Sequence, residues 1–122
     1  MNIRTSTRQV GRVTIVDISG RIVLGEESAS LRDLICGLLS KGQKEILLNL
    51  GSVDHIDSMG LGSLVGASVT VRNQGGELKL VNLPNKVADL MQLTKLYTVF
   101  DIMTSEAAGA KAFSQSTGAA KA

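Results

Sequence analysis

Little in this chain invites redox, metal or stacking chemistry. Its 122 residues include one cysteine, Cys36, one histidine, His55, and one proline, Pro84. A single thiol closes no internal disulfide, and no Cys/His cluster has metal-ligand spacing; both facts suit a reducing compartment and argue against a zinc site. Tryptophan is absent and the aromatics are Tyr97, Phe100 and Phe113. The stacking platform of single-stranded nucleic-acid binders is therefore missing, and the core must be aliphatic. Charge of neither sign dominates: 13 basic and 11 acidic residues give a formal net charge of +2, with no run that could track a phosphate backbone. No nucleic-acid partner is expected. No apolar run is long enough to span a bilayer, and residues 1–10 lack the apolar stretch of a signal peptide, so a cytoplasmic protein without membrane insertion is expected.

The same poverty holds for catalytic constellations. With no Gly-x-Ser-x-Gly elbow in the chain, His55 has no nucleophile with which to build a hydrolase triad, and it reads as a loop residue. Gly60-Leu61-Gly62 followed by Val65-Gly66 comes after a strand, but its third glycine is misplaced for a dinucleotide fingerprint and no acidic residue ends the next strand. Cys36 reads as a partly buried packing residue rather than a redox thiol. No catalytic residue, metal, cofactor or small-molecule substrate is expected.

What is present is alternation of strands and helices. Residues 3–10 and 14–19, parted by Gly11, read as an opening hairpin. Over residues 28–41, Leu31, Leu34, Ile35, Leu38 and Leu39 repeat at the spacing of one buried helix face, with Ser28 as N-cap and Gly42 as the left-handed stop. Residues 45–50, Glu-Ile-Leu-Leu-Asn-Leu, form an apolar run expected to be a central strand covered on both sides. A loop over 51–57 then leads to a helix over 58–73 that stops at Gly75-Gly76, a strand over 77–81, a helix over 84–93, a strand over 99–103 and a last helix over 105–113. Such an order predicts an α/β fold with a mixed sheet, an antiparallel hairpin first and parallel strands after it, and about four helices packed mainly on one face. One domain spans residues 1–113, and the small polar residues 114–122 are expected to be a disordered tail.

The informative segment is 53–64, Val-Asp-His-Ile-Asp-Ser-Met-Gly-Leu-Gly-Ser-Leu, between a strand and a helix. Ser58 falls at the N-cap or in the first turn of that helix, with its hydroxyl presented at the surface. The free N–H groups and positive dipole end there could receive a phosphate, at a gain of roughly 0.3–1 kcal/mol per charge. Added charge of about −1.5 to −2 beside Asp57 would repel a docked partner. Like-charge juxtaposition at ~3–4 kcal/mol lowers affinity by roughly 10²- to 10³-fold. Gly60 and Gly62 would let a partner approach the helix start, and Leu61 between them is a candidate exposed apolar anchor. The plain alternative is that Ser58 only caps the helix, and that Asp54 and Asp57 cap and solubilise the loop.

Asp57-Ser58-Met59-Gly60-Leu61-Gly62 resembles the Asp-Ser-Ser/Thr-Gly-Leu-Gly signature of the STAS domains of anti-sigma factor antagonists. The resemblance extends to Gly20-Arg21-Ile22, Ile46-Leu47-Leu48-Asn49-Leu50, Gly75-Gly76-Glu77-Leu78, and the stretch from Leu93-Thr94-Lys95-Leu96 to Val99-Phe100-Asp101-Ile102, with Glu106-Ala107 after it. It implies that Ser58 is the phosphoacceptor. It further implies a partner that is an anti-sigma factor with serine kinase activity, whose sigma factor is released on docking, and a serine phosphatase that resets the switch. The docking face would comprise Arg21, Ile22, Val23, Gly25, Glu26, Asp57, Met59, Gly60, Leu61 and Gly62. Val23 stands where the family often has an acidic residue, and Met59 where it has a second hydroxyl. Lys95, in place of a glycine, reads as a surface variation. The competing expectation is a STAS subunit of a transporter or signalling scaffold that never cycles through phosphorylation.

Overall fold

The computed structural model describes residues 3–22, 26–95 and 100–103. Strand β1 (Ile3–Val10) turns at Gly11-Arg12 into β2 (Val13–Ile22). The two pair antiparallel from Val10 opposite Val13 out to Ile3 opposite Gly20. Only a left-handed residue closes so short a turn without splaying the strands, and Gly11 supplies it with φ +62°. Helix α1 (Glu26–Ser40), β3 (Glu45–Ile56), α2 (Ser58–Asn73), β4 (Glu77–Val81), α3 (Asn85–Thr94) and β5 (Asp101–Met103) follow.

The strands lie in chain order, β1-β2-β3-β4-β5, with every pair after the hairpin parallel. This is the expected mixed sheet. Val16, Ile18, Ile22, Ile46, Leu48, Leu50 and Leu80 meet Leu31, Ile35, Leu38, Leu61, Leu64, Val71, Val87 and Met91 of the three helices in one core. Burying a single side chain of this kind is worth ~1.5–3 kcal/mol. Val13, Ile15, Leu47 and Val81 form a second cluster, with Met103 packed on it. Consecutive Ile46, Leu47 and Leu48 are all fully buried, which bears out the reading of β3 as covered on both faces. At the edge of the sheet Arg8 Nε donates to Asp17 at 2.6 Å, and Asn49 Nδ2 donates to the same carboxylate at 2.8 Å. The guanidinium holds the Asp17 carboxyl below the ordinary carboxylate range, against the opposing effect of partial burial.

Helix ends follow local chemistry. Gly42 takes φ +82° after α1, with Gln43 N–H donating to Leu38 O at 3.0 Å, the left-handed stop expected there. Helix α3 starts after Pro84, whose preset φ of −61° suits a helix entrance.

Several details depart from expectation. α1 begins at Glu26, which places Ser28 inside the helix rather than at its cap. Cys36 is exposed, because the helix turns its Leu31, Ile35 and Leu38 face to the sheet and carries 32, 33 and 36 outward. Strand β3 runs on to Ile56, so residues 51–56 are strand rather than loop: Val53 and Ile56 are buried, and Ile56 pairs with Ile22. His55 is accordingly a strand residue opposite Arg21. Lys95, exposed as expected, has a left-handed backbone with φ +59°, so the family's glycine there answers a conformational demand that lysine meets at a cost of ~1–2 kcal/mol. Among the described residues there are three helices; the expected helix over 105–113, the tail over 114–122 and the strand start at 99 lie outside them.

Candidate functional site

The site is built where β2 and β3 end together and α2 begins. Two register shifts between β2 and β3, one between Asp17 and Ser19 and one between Gly20 and Arg21, bring Ile22 level with Ile56. Gly20 takes φ +100° at the second, a backbone shape that a side chain would oppose. The Ile22 carbonyl consequently faces the start of α2, where it accepts from Asp57 N–H at 3.3 Å.

Asp57, not Ser58, is the N-cap. Its backbone is extended (φ −97°, ψ 177°), and its Oδ1 accepts from Gly60 N–H at 2.6 Å while its carbonyl accepts from Leu61 N–H at 2.8 Å. The capping role expected of an aspartate in this segment is thus met by Asp57, while Asp54 is simply exposed on β3. Ser58 is the first helical residue, exposed at the surface. Of the four N–H groups that a helix start leaves without helical partners, those of Asp57 and Gly60 are bonded as described. The N–H groups of Ser58 and Met59 bond to no described residue. The first turn carries no acidic side chain. An exposed hydroxyl therefore stands beside two donors that meet no described acceptor, at the positive end of a 16-residue helix.

Gly60 is the constraint that holds this arrangement. A Cβ there would fall far inside van der Waals contact with the Ile22 carbonyl oxygen, 2.6 Å from the carbonyl carbon and 3.1 Å from Ile22 Cγ2. Contrary to expectation, the residue is buried and makes room for the protein's own β2 rather than for a partner. Leu61 is also corrected. At 1 % exposed it belongs to the core, because its position faces the sheet. Ile22 is fully buried too. The apolar residue that the surface does present is Met59, at 56 % exposed, and Gly62 is exposed with nothing within 4 Å of a built Cβ.

Arg21 is exposed at the end of β2. Val23 and Gly25 lie outside the described residues, and of Glu26 only its place at the start of α1 is described. From Ser58 an open groove of about 590 Å³ runs along the outer face of α2 past Met59, Gly62, Ser63, Gly66 and Thr70, and Arg32 of α1 also lines it. Sequence reasoning passed over Arg32, Ser63, Gly66 and Thr70. The i, i+4 repetition of small residues at 58, 62, 66 and 70 was a usable signal for the groove, whereas nothing local tied Arg32 to it. Ser63 and Thr70 hydroxyls donate back to the carbonyls of Met59 and Gly66 at 3.3 and 2.9 Å, so they are satisfied within the helix. Among the described residues no three His, Cys, Asp or Glu side chains gather to hold a metal, and no helix is long and apolar enough to cross a membrane.

Comparison with known proteins places this geometry. The chain is 33 % identical over 109 residues to the anti-sigma-B factor antagonist of Bacillus subtilis, covering 89 % of this chain and 98 % of that one. An anti-sigma factor antagonist from Mycobacterium paratuberculosis superposes with a TM-score of 0.77 at 19 % identity, over 91 % of this chain and 93 % of the other. The Bacillus cell fate determinant SpoIIAA, solved in its phosphorylated form, gives 0.68 at 19 % identity, over 89 % and 99 %. The two structural likenesses are of fold. The family model of the STAS domain matches residues 4–109, and with that match the chain belongs to the STAS domain family.

Proposed function

We propose that this protein is an anti-sigma factor antagonist, a binding module rather than an enzyme, that works in the cytoplasm and is switched at Ser58. Unphosphorylated, it docks on an anti-sigma factor with serine kinase activity and so frees a sigma factor. Phosphorylation of Ser58 reverses the docking, and a serine phosphatase restores it. The observation that carries the reading is the exposed Ser58 hydroxyl at the first position of α2, beside two N–H groups that bond to no described residue. Similarity to the Bacillus subtilis antagonist, 33 % identical over nearly the whole of that protein's length, supports it. The contact face is proposed to comprise Arg21, Ser58, Met59 and Gly62 together with the segment 23–26, while Asp57, Ile22, Gly60 and Leu61 hold those residues in place from behind.

The switch follows from charge and position. A phosphate on Ser58 meets open donors at a positive helix end, so the fold tolerates it. Toward a docked partner it brings about −1.5 to −2 charges into the middle of the face. Incubation with the anti-sigma kinase encoded by the same organism and ATP, followed by mass spectrometry, should place one phosphate on Ser58. In side-by-side pull-downs Ser58→Ala should retain the kinase, whereas Ser58→Asp should bind it roughly 10²-fold more weakly or worse. Phosphate on another residue, or undiminished binding by Ser58→Asp, would sink the switch and favour a STAS subunit that does not cycle.

A further inference from the structure

The groove that begins at Ser58 has a wall that the switch described above does not use. Arg32, on the exposed side of α1, lines it together with Ser58, Met59, Gly62, Ser63, Gly66 and Thr70. It is the charged residue of that lining, and it makes no ion pair with a described side chain. The remaining charges near the site point to different tasks. The Asp57 carboxylate is engaged on Gly60 N–H, Asp54 is exposed on β3, and Arg21 is exposed on β2 next to the inward-facing Ile22. A guanidinium offers a planar fork of donors matched to phosphate oxygens.

We infer that Arg32 is the intramolecular receiver of the Ser58 phosphate, so that modification ties α1 to the start of α2 across the groove. The inference rests on the reading of Ser58 as phosphoacceptor and adds a second consequence to it. Phosphorylation then changes the shape of the docking face as well as its charge, since the guanidinium and phosphate meet in the groove that Gly62 also lines. The N–H groups of Ser58 and Met59, which bond to no described residue, hold the phosphate from α2, and Arg32 holds it from α1.

The test uses the full chain with phosphoserine installed at position 58 during translation, so no kinase is required. Phosphorus NMR follows the second ionisation of the phosphate in this protein and in the same protein carrying Arg32→Gln or Arg32→Lys. A nearby cation favours the dianion. At an exposed site the midpoint in the parent should therefore lie roughly 0.3–0.7 pH units below that of Arg32→Gln. Lysine should restore part of the difference, and raising the salt to about 1 M should shrink it. The dipole, the open N–H groups and Asp57 are common to all three proteins and cancel in the comparison. Equal midpoints in the parent and Arg32→Gln would overturn the inference, as would an equal difference at low and high salt. Thermal melts of the unphosphorylated chains should coincide, which excludes a general loss of structure as the cause. An Arg32-dependent midpoint alongside a kinase assay that leaves Ser58 unmodified would sink the switch while leaving the receiver in place.

Discussion

At its start, α2 presses Gly60 onto the carbonyl of Ile22 at the end of β2. Just past its finish, the chain presses Gly76 onto the carbonyl of Lys44, immediately before β3, with a built Cβ 2.9 Å from Lys44 Cβ and 3.0 Å from Val71 Cγ1. The two ends thus share one device, a missing side chain that lets two backbone segments touch. They differ in what is left over. At the finish Gly75, Gly76 and Glu77 donate to Arg72, Val71 and Lys44 carbonyls at 3.0, 2.9 and 2.9 Å. Those three N–H groups are spent on the closing turn and on β3's approach. At the start the N–H groups of Ser58 and Met59 bond to no described residue and lie beside exposed side chains. Glycine contact therefore serves position at both ends, and the donors that meet no described partner distinguish the end proposed to serve function.

The largest effect should come from Gly60→Ala. The clash is with backbone atoms on a paired strand, which cannot swing aside as the tip of a flexible side chain would. We expect a loss of at least ~3 kcal/mol in urea unfolding, the upper range of overpacking penalties. A loss below about 1 kcal/mol would show that the start of α2 is free to shift, and the rigid presentation of Ser58 would go with it. Gly76→Ala should follow at about 2 kcal/mol, since the clash is again with a backbone carbonyl but Lys44 lies in the short connection between α1 and β3 rather than inside a strand. Equal losses at the two positions would remove the distinction between a strand-held and a turn-held contact.

Much of this was legible in the sequence. The hairpin, the α1 face, the α2 limits of 58–73, the strand 77–81 and the stops at Gly42 and Gly75 each rest on local chemistry, namely periodicity, caps and glycine conformation. What escaped was decided by partners distant in the chain. Residues 51–56 carry polar Ser52, Asp54 and His55, which look like a loop until β2 is found beside them, lengthened past its own irregularities to Ile22. Gly60 reads as permissive toward a partner because spacing cannot reveal that Ile22 lies behind it. Leu61 follows the same logic. Two glycines around a leucine suggest an exposed tip, yet the helical turn from 61 to 64 to 68 carries it inward with Leu64 and Ser68. Lys95 shows the reverse case, in which a local demand for a left-handed backbone is visible only once α3 is seen to end there.

A smaller effect is expected at the cap. Asp57→Ala removes the acceptor of Gly60 N–H and should cost about 1 kcal/mol, whereas Asp57→Asn, an equally good cap, should cost a few tenths. The α2 finish has no comparable side-chain cap, so this measurement probes a feature of the start alone. If asparagine proved as damaging as alanine, the carboxylate charge at the positive helix end, rather than the hydrogen bond, would be the larger contribution.

The smallest change, and one of opposite sign, separates the two glycines of the same turn. Gly62 lies on the outer face, and a built Cβ meets nothing within 4 Å. Glycine in a helix interior is less favourable than alanine by ~0.5–1 kcal/mol, so Gly62→Ala should stabilise the folded chain by up to that amount. No requirement of the fold accounts for glycine at this position. If the outer face is used for docking, the same methyl group should weaken kinase binding while it raises the melting temperature, and the two readouts would move in opposite directions. Gain in both would mean that the groove floor at Gly62 is not a contact surface, leaving Ser58 and Met59 at the helix start to carry the docking face.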